Sequence, residues 1–455
     1  MNTLDQQNGS ARSGASARTG GMAEVRVNRP LTWLLLALCL YIPLPLGSNR
    51  PPFWAISALL VGLIGLWYFA VLALRGEAPR IRFRQVAMEA WLFVGLVLVL
   101  VLQQLPIAQL LPPGPAAPAL PSGGRPSLAP GATWLMVLQV CGYGVFAFLI
   151  LQVGHRRDRA ALAVTWLFAF IVLYGAIGLL LLTQLGDTWF GLSKFAYPGS
   201  ATGPFINRNS FATFLAFGLA TGCALFTQSL SSHRKTRRID AIVIAAGTLL
   251  IGLALLATNS RMGIVAGLAG ASVALMLGGL KLGWSLRRWG VLALVAIACF
   301  AGLLAYYGTG VLERVFVAEG DLLARAELYR QVLGMVEARP WLGIGGGAFP
   351  EVYPIFHAAP VSSEVVWDRA HSTYLALWAE LGILGGTLPL LLFGLLGWRS
   401  ARAYAKEEHK WGPGLAAVAC LVVAGLHSSV DFSLEIQANA FYLLAFAGLG
   451  AAGET

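Results

Sequence analysis

Long apolar stretches separated by short polar breaks run through most of the chain. An α-helix needs about 20 apolar residues to cross a bilayer. Twelve segments approach or meet that need, near residues 31–47, 53–74, 86–105, 132–153, 160–185, 209–230, 240–258, 262–280, 289–307, 372–397, 413–430 and 436–452. The first is short and carries Pro43 and Pro45. Between the seventh and eighth lies only Asn259-Ser260-Arg261, either a turn between spans or a polar interruption in a long hairpin. The pattern predicts an all-α integral membrane protein with about 12 transmembrane helices.

The segments between the apolar runs divide the chain. Residues 1–30 are polar, rich in Gly, Ser and Ala, and read as a disordered tail. The tail does not resemble a cleaved signal peptide, because the first apolar run comes late and others follow directly. Residues 31–307 hold the first nine helices, 308–371 a large loop, and 372–455 the last three helices and the C-terminus. Residues 106–131 are rich in Pro, Gly and Ala and read as an extended, irregular loop. The loop at 308–371 is too long for a plain connector. Within it Asp321 to Arg339 has amphipathic helical spacing, with Leu322, Leu328, Val332, Met335 and Val336 near one face. Such a helix would lie on the membrane surface or cap a cavity.

Composition agrees. The 455 residues are 57% hydrophobic and 12% charged, far below the roughly 25% charge of soluble domains. The net charge of +11 raises the question of nucleic acid, but Lys and Arg fall in short clusters between apolar segments, so no nucleic-acid partner is expected. With the N-terminus inside, 22 of the 32 Lys and Arg fall on inside segments. The other ten are Arg50, Arg125, Lys194, Arg208, Arg261, Arg314, Arg325, Arg330, Arg339 and Arg369. This bias orients the protein with the three long loops outside. Cys39, Cys141, Cys223, Cys299 and Cys420 lie in apolar segments and read as small buried hydrophobes. No His, Cys or carboxylate cluster has metal-ligand spacing, so no metal is expected.

The candidate chemistry gathers on the outer side. Arg208, flanked by Asn207 and Asn209, opens the sixth span, and Arg261 opens the eighth. Two guanidinium forks facing one cavity would suit a pyrophosphate. The alternative is that both snorkel to lipid headgroups. His371 stands where the large loop re-enters the membrane, after Asp368 and Arg369 and before Tyr374. Its imidazole titrates near neutral pH and can take a proton from an attacking hydroxyl, or it is a hydrogen-bonded interfacial histidine. Glu380 within the tenth span is a functional or ion-pair candidate, because a buried carboxylate is costly there. Arg330, His357 and His427 are secondary candidates. Gly343-Ile344-Gly345-Gly346-Gly347 follows a helix and reads as a tight turn, not as a dinucleotide fingerprint.

Several stretches together resemble the O-antigen ligase family, which includes related polysaccharide polymerases. They are Gly203-Pro204-Phe205-Ile206-Asn207-Arg208-Asn209-Ser210-Phe211-Ala212, Thr258-Asn259-Ser260-Arg261-Met262-Gly263, Arg339-Pro340-Trp341-Leu342-Gly343-Ile344-Gly345, and Ala370-His371-Ser372-Thr373-Tyr374-Leu375 continuing to Glu380-Leu381-Gly382-Ile383. Asp431 to Ala440 also fits. The resemblance implies a multi-pass enzyme of the bacterial inner membrane with a large periplasmic loop. It implies a donor glycan on undecaprenyl pyrophosphate and a glycan or lipid A core acceptor. Arg208 and Arg261 would hold the pyrophosphate, and His371 would activate the acceptor hydroxyl, with no cofactor. Asn207, Asn209, Arg369, Tyr374, Glu380, Arg330 and His427 would support them. A polymerase would share the donor and take a chain-length regulator as partner. Two positions depart from the pattern: Arg369 precedes the histidine, and Ser372 stands where a larger polar residue such as Asn is expected.

Two other classes compete. A lipid-linked glycan flippase or transporter would place ionisable residues at mid-membrane in several spans and show paired halves. A structural subunit of an envelope assembly is the third reading. The gathering of charges and long loops on one face favours an enzyme.

Overall fold

A computed structural model describes residues 27–454 apart from 113, 115–122, 232–234, 292–293, 295–297, 299–301, 303–310 and 365, with the side chains of 235–237 and 311–322 also outside the description. Most of the expected ninth span, Cys299 and most of the N-terminal tail therefore lie outside the described residues.

Besides a helical stretch at 286–291, thirteen helices carry the fold among the described residues. They are α1 (Val27–Tyr41), α2 (Pro51–Arg75), α3 (Ala87–Leu102), α4 (Pro130–Gly154), α5 (Arg157–Thr183), α6 (Arg208–Leu230), α7 (Lys235–Ala257), α8 (Arg261–Lys281), α9 (Val311–Ala338), α10 (Phe349–Phe356), α11 (Thr373–Lys406), α12 (Gly412–Ser428) and α13 (Gln437–Ala451). One short antiparallel pair, β1 (Thr188–Trp189) with β2 (Leu192–Ser193), decorates the loop after α5. Among the described residues eight helices are long and apolar enough to cross a membrane: α2 to α8 and α11.

The expected count of twelve is thus met in part. α1 starts at Val27, inside the stretch assigned to the tail, because Val27 and Leu31 pack in the core. It stops at Tyr41, before Pro43 and Pro45, which cannot donate the next helical hydrogen bonds. α12 and α13 are also shorter than a full crossing, with 17 and 15 residues.

Helix α6 is the centre of the bundle. Of its most apolar window 89% is buried, against 22% for α7. Small residues make this possible. Gly263, Gly267 and Gly270 of α8 press onto Ala212, Ala216 and Ala220 of α6, the close approach that small residues allow between membrane helices. α5, α7 and α12 also pack on α6, and α13 lies against α12 and α4. Outward-facing Leu63 and Leu66 of α2, Ile242 and Leu249 of α7, and Leu384 of α11 are exposed, which suits lipid contact and not water.

A second apolar cluster sits over the start of α11. Leu328, Val332, Met335 and Val336 of α9 meet Phe349, Val352 and Tyr353 of α10 and Ala376 and Ala379 of α11. The amphipathic face expected from the sequence is therefore buried against protein, and its helix starts at Val311 instead of Asp321. The expected single tenth span is broken at Gly382, whose backbone leaves the helical region at φ 74, ψ 170.

Candidate functional site

The site is built from helix starts. Asn207 caps α6: its Oδ1 accepts from the backbone N–H of Asn209 at 2.7 Å and of Ser210 at 3.4 Å. That leaves Arg208 as the first helical residue, where the helix dipole is positive. The loop before it is pinned from several sides. Trp189 Nε1 donates to Thr202 Oγ1 and to the Phe205 carbonyl, both at 3.0 Å. Lys194 pairs with Asp187 and donates to the Ser200 carbonyl at 2.9 Å. The Arg208 guanidinium lies 5.3 Å from the centre of the Tyr197 ring. Its Nε is buried with no hydrogen-bond partner among the described residues. Burial raises the Tyr197 hydroxyl above its usual range, and the Arg208 charge opposes this.

Arg261 opens α8 in the same manner. Asn259 takes φ 54 to make a tight turn, and Ser260 Oγ accepts from the Gly263 N–H at 3.3 Å. Asn259 Nδ2 reaches back to the Gly199 carbonyl at 3.3 Å. The turn reading of Asn259-Ser260-Arg261 holds, and the hairpin interruption does not. Gly263 against Ala212 sets the starts of α6 and α8 side by side. Arg261 is exposed and makes no hydrogen bond or ion pair among the described residues.

Asp431 ties α6 to α11. Its carboxylate accepts from Asn209 Nδ2 at 3.0 Å and from the Ser433 hydroxyl. Its carbonyl accepts from the N–H of Thr373 at 3.3 Å and from Thr373 Oγ1 at 3.1 Å. His371 precedes that helix start by two residues and holds the unusual φ of 53. Its carbonyl accepts from the Tyr329 hydroxyl of α9 at 2.8 Å. Its ring meets Trp367 and Phe432 edge-on, with centroids 5.6 and 5.2 Å apart. Nδ1 is buried without a partner among the described residues. Burial holds the imidazole below its ordinary value, the Asp431 charge opposes this, and Arg325 adds to it.

Other expected residues hold the frame. Arg369 pairs with Glu435 at 2.7 Å, and its guanidinium lies 5.8 Å from the centre of the Phe432 ring. The Tyr374 hydroxyl donates to the Gly425 carbonyl at 2.7 Å. His427 Nδ1 lies 2.6 Å from Thr213 Oγ1 inside the bundle. Arg330 is exposed and paired with Glu327 one turn back. His357 packs edge-on to Tyr353 at the end of α10. No group of three or more His, Cys, Asp or Glu could hold a metal among the described residues.

Among the described residues Glu380 has no ion pair, contrary to one expectation for it. Its two oxygens accept from the N–H of Gly347 at 2.9 Å and of Phe349 at 3.1 Å, capping the start of α10. The Gly343–Gly347 turn wraps this carboxylate. Ile344 N donates to the Ala379 carbonyl and Gly345 N to the Glu380 carbonyl, while Ile383 N donates to the Pro340 carbonyl. Gln103, just past the end of α3, joins the same knot: its side chain bonds the carbonyls of Leu342 and Glu380 and the N–H of Gly346.

Residues 246–390 match the family described as O-antigen ligase. The chain carries a domain of that family. Arg261, His371, Glu380 and the whole glycine turn fall inside the O-antigen ligase match, while Arg208 and Asp431 fall outside it. The family supports a ligase- or polymerase-type activity on glycans. No curated protein matches the chain.

Sequence reasoning singled out Arg208, Arg261 and His371, but gave no role to Asp431, Tyr197, Tyr329, Gln103 or Arg325. Two of these carried a signal: Asp431 opens a stretch that fits the family pattern, and Arg325 lies four residues before Tyr329, which puts both on one helix face.

Proposed function

We propose that this protein moves a glycan from undecaprenyl pyrophosphate to an acceptor hydroxyl at the periplasmic face of the bacterial inner membrane. The acceptor hydroxyl attacks the anomeric carbon, and His371 takes its proton. The bond from that carbon to the pyrophosphate oxygen breaks, and undecaprenyl pyrophosphate leaves. Direct displacement inverts the anomeric centre. Arg208 and Arg261 meet the charge that develops on the leaving group, aided by the positive ends of α6 and α8.

One observation carries this reading. Through Asn209, Asp431 and Thr373, the helix start bearing Arg208 is bonded to the helix start beside His371, and each residue presents a buried nitrogen without a partner among the described residues. These bonds support a reading in which a phosphate-binding group and a proton acceptor share one site. Burial supports the role of His371, because it favours the neutral imidazole that a base requires. A flippase fits less well, since Arg208, His371 and Glu435, each with an unsatisfied buried atom, share one end of the bundle.

The acceptor we favour is the lipid A core, which makes the protein an O-antigen ligase in lipopolysaccharide biosynthesis. A repeat-unit polymerase has the same donor and leaving group and differs in the acceptor. Replacing Arg208, Arg261 or His371 with alanine in cells is expected to abolish mature surface polysaccharide on a gel. Lipid-linked polymer should accumulate for a ligase, and single repeat units for a polymerase. Normal glycan at normal protein levels in all three variants would sink the proposal.

A further inference from the structure

The site as described has its cations on the bundle side only, at the starts of α6 and α8. A third cation belongs to α9. Arg325 of α9 lies one turn before Tyr329, so the two side chains share a helix face. Tyr329 places that face against the site, because its hydroxyl donates to the His371 carbonyl at 2.8 Å. The helix cannot roll freely, since Leu328, Val332 and Met335 are fully buried against α10 and α11. Arg325 is half-buried, and it has neither a salt bridge nor a hydrogen bond among the described residues. Arg330 on the same helix differs on both counts, being exposed and paired with Glu327.

The field of Arg325 reaches the groups that define the site. It lowers the proton affinity of Tyr197, which stacks on Arg208, of Tyr329 and of His371. A partly buried guanidinium with no ion pair among the described residues, on the helix face that Tyr329 turns toward His371, is open to a ligand anion, although the Asp431 carboxylate acts on the same three groups.

We propose that Arg325 is a third phosphate-binding residue, delivered by α9, which grips the lipid-linked pyrophosphate together with Arg208. This rests on the reading of the site as one for a polyprenyl pyrophosphate. The donor would then bridge the transmembrane bundle and the second apolar cluster. Arg325 would also reinforce the neutral state of His371 until the anion binds.

The test is binding of undecaprenyl pyrophosphate to the full-length protein in nanodiscs. Alanine is a good helix former, so R325A should leave α9 folded. Loss of a charge-assisted pair is expected to weaken binding about tenfold or more. R325K, which keeps the charge without the fork, should fall between, and R330A should bind like the wild type. R325A binding like the wild type while R208A is weakened overturns the role of Arg325 and leaves the proposed function standing. R208A and R325A both binding like the wild type overturns the pyrophosphate reading itself, and this inference with it.

Discussion

His371 is the residue on which the proposed chemistry turns, and its backbone is unusual. A side chain bulkier than glycine seldom holds positive φ, and doing so costs about 1 kcal/mol or more. Here φ 53 is held by the Tyr329 hydroxyl on the carbonyl and by Asp431 on the following helix start. The structure spends that strain in aiming the ring between Trp367 and Phe432. Burial holds the imidazole below its ordinary value. The sign follows: the neutral base is the dominant form at pH 7, and it is lost only as pH falls through the depressed value. The expected pH profile of kcat/KM for glycan transfer is flat above neutrality, with an acid limb below about 6.5, the unperturbed imidazole value. An acid limb above pH 7 would contradict this assignment.

Among elements, the knot of the glycine turn, Glu380 and Gln103 anchors α11 about two turns past the start that His371 precedes. Gly343 has φ 67, and a Cβ there would strike the Glu380 backbone. Gly334, within α9, has open space around its Cα. G343A should therefore lower the unfolding temperature of the purified protein by several degrees. G334A should leave it unchanged or raise it, since Ala favours a helix interior by about 0.5–1 kcal/mol over Gly. Equal unfolding temperatures for the two variants would refute the knot. A second check is E380A, which strips two buried N–H groups of their acceptor at about 1–3 kcal/mol each.

Much of this was legible in the sequence, and the limits have physical causes. A tight turn at Gly343–Gly347 follows from the glycines alone, but its partner Gln103 lies some 240 residues away, and no local pattern announces such a contact. The break at Gly382 was hidden because the apolar run continues through it. Helix α10 escaped notice because it has eight residues, two of them Pro350 and Pro354. Arg208 and Arg261 were visible as cations on the poorly charged face, whereas Arg325 was seen as a charge and not as a site residue. Its placement depends on which way α9 faces, and that is fixed by the tertiary packing of Leu328 and Val332.

The whole molecule has two unlike ends. Arg208, Arg261 and His371 lie at the starts of α6, α8 and α11. The far end of α11 carries ion pairs of the basic loops, with Arg157 bound to Glu407 at 3.2 Å and Lys406 to Glu454 at 2.9 Å. The charge bias of the sequence assigns that basic end to the cytoplasm. Cysteines placed one at a time in an otherwise cysteine-free chain check this. Phe190→Cys, on the site side, should react with an impermeant thiol reagent from the periplasm. Arg402→Cys should react only after the inner membrane is opened. The reverse pattern would invert the orientation and remove the periplasmic donor.

The most direct measurement is transfer by purified protein in nanodiscs, with a glycan on undecaprenyl pyrophosphate as donor and an isolated lipid A core as acceptor. The account predicts that the wild type releases undecaprenyl pyrophosphate in step with glycan joined to the acceptor. H371A should lose at least about a hundredfold in kcat, as expected for removal of a positioned base. R208A should lose donor binding as well as rate. Transfer at the wild-type rate by folded H371A and R208A would contradict it.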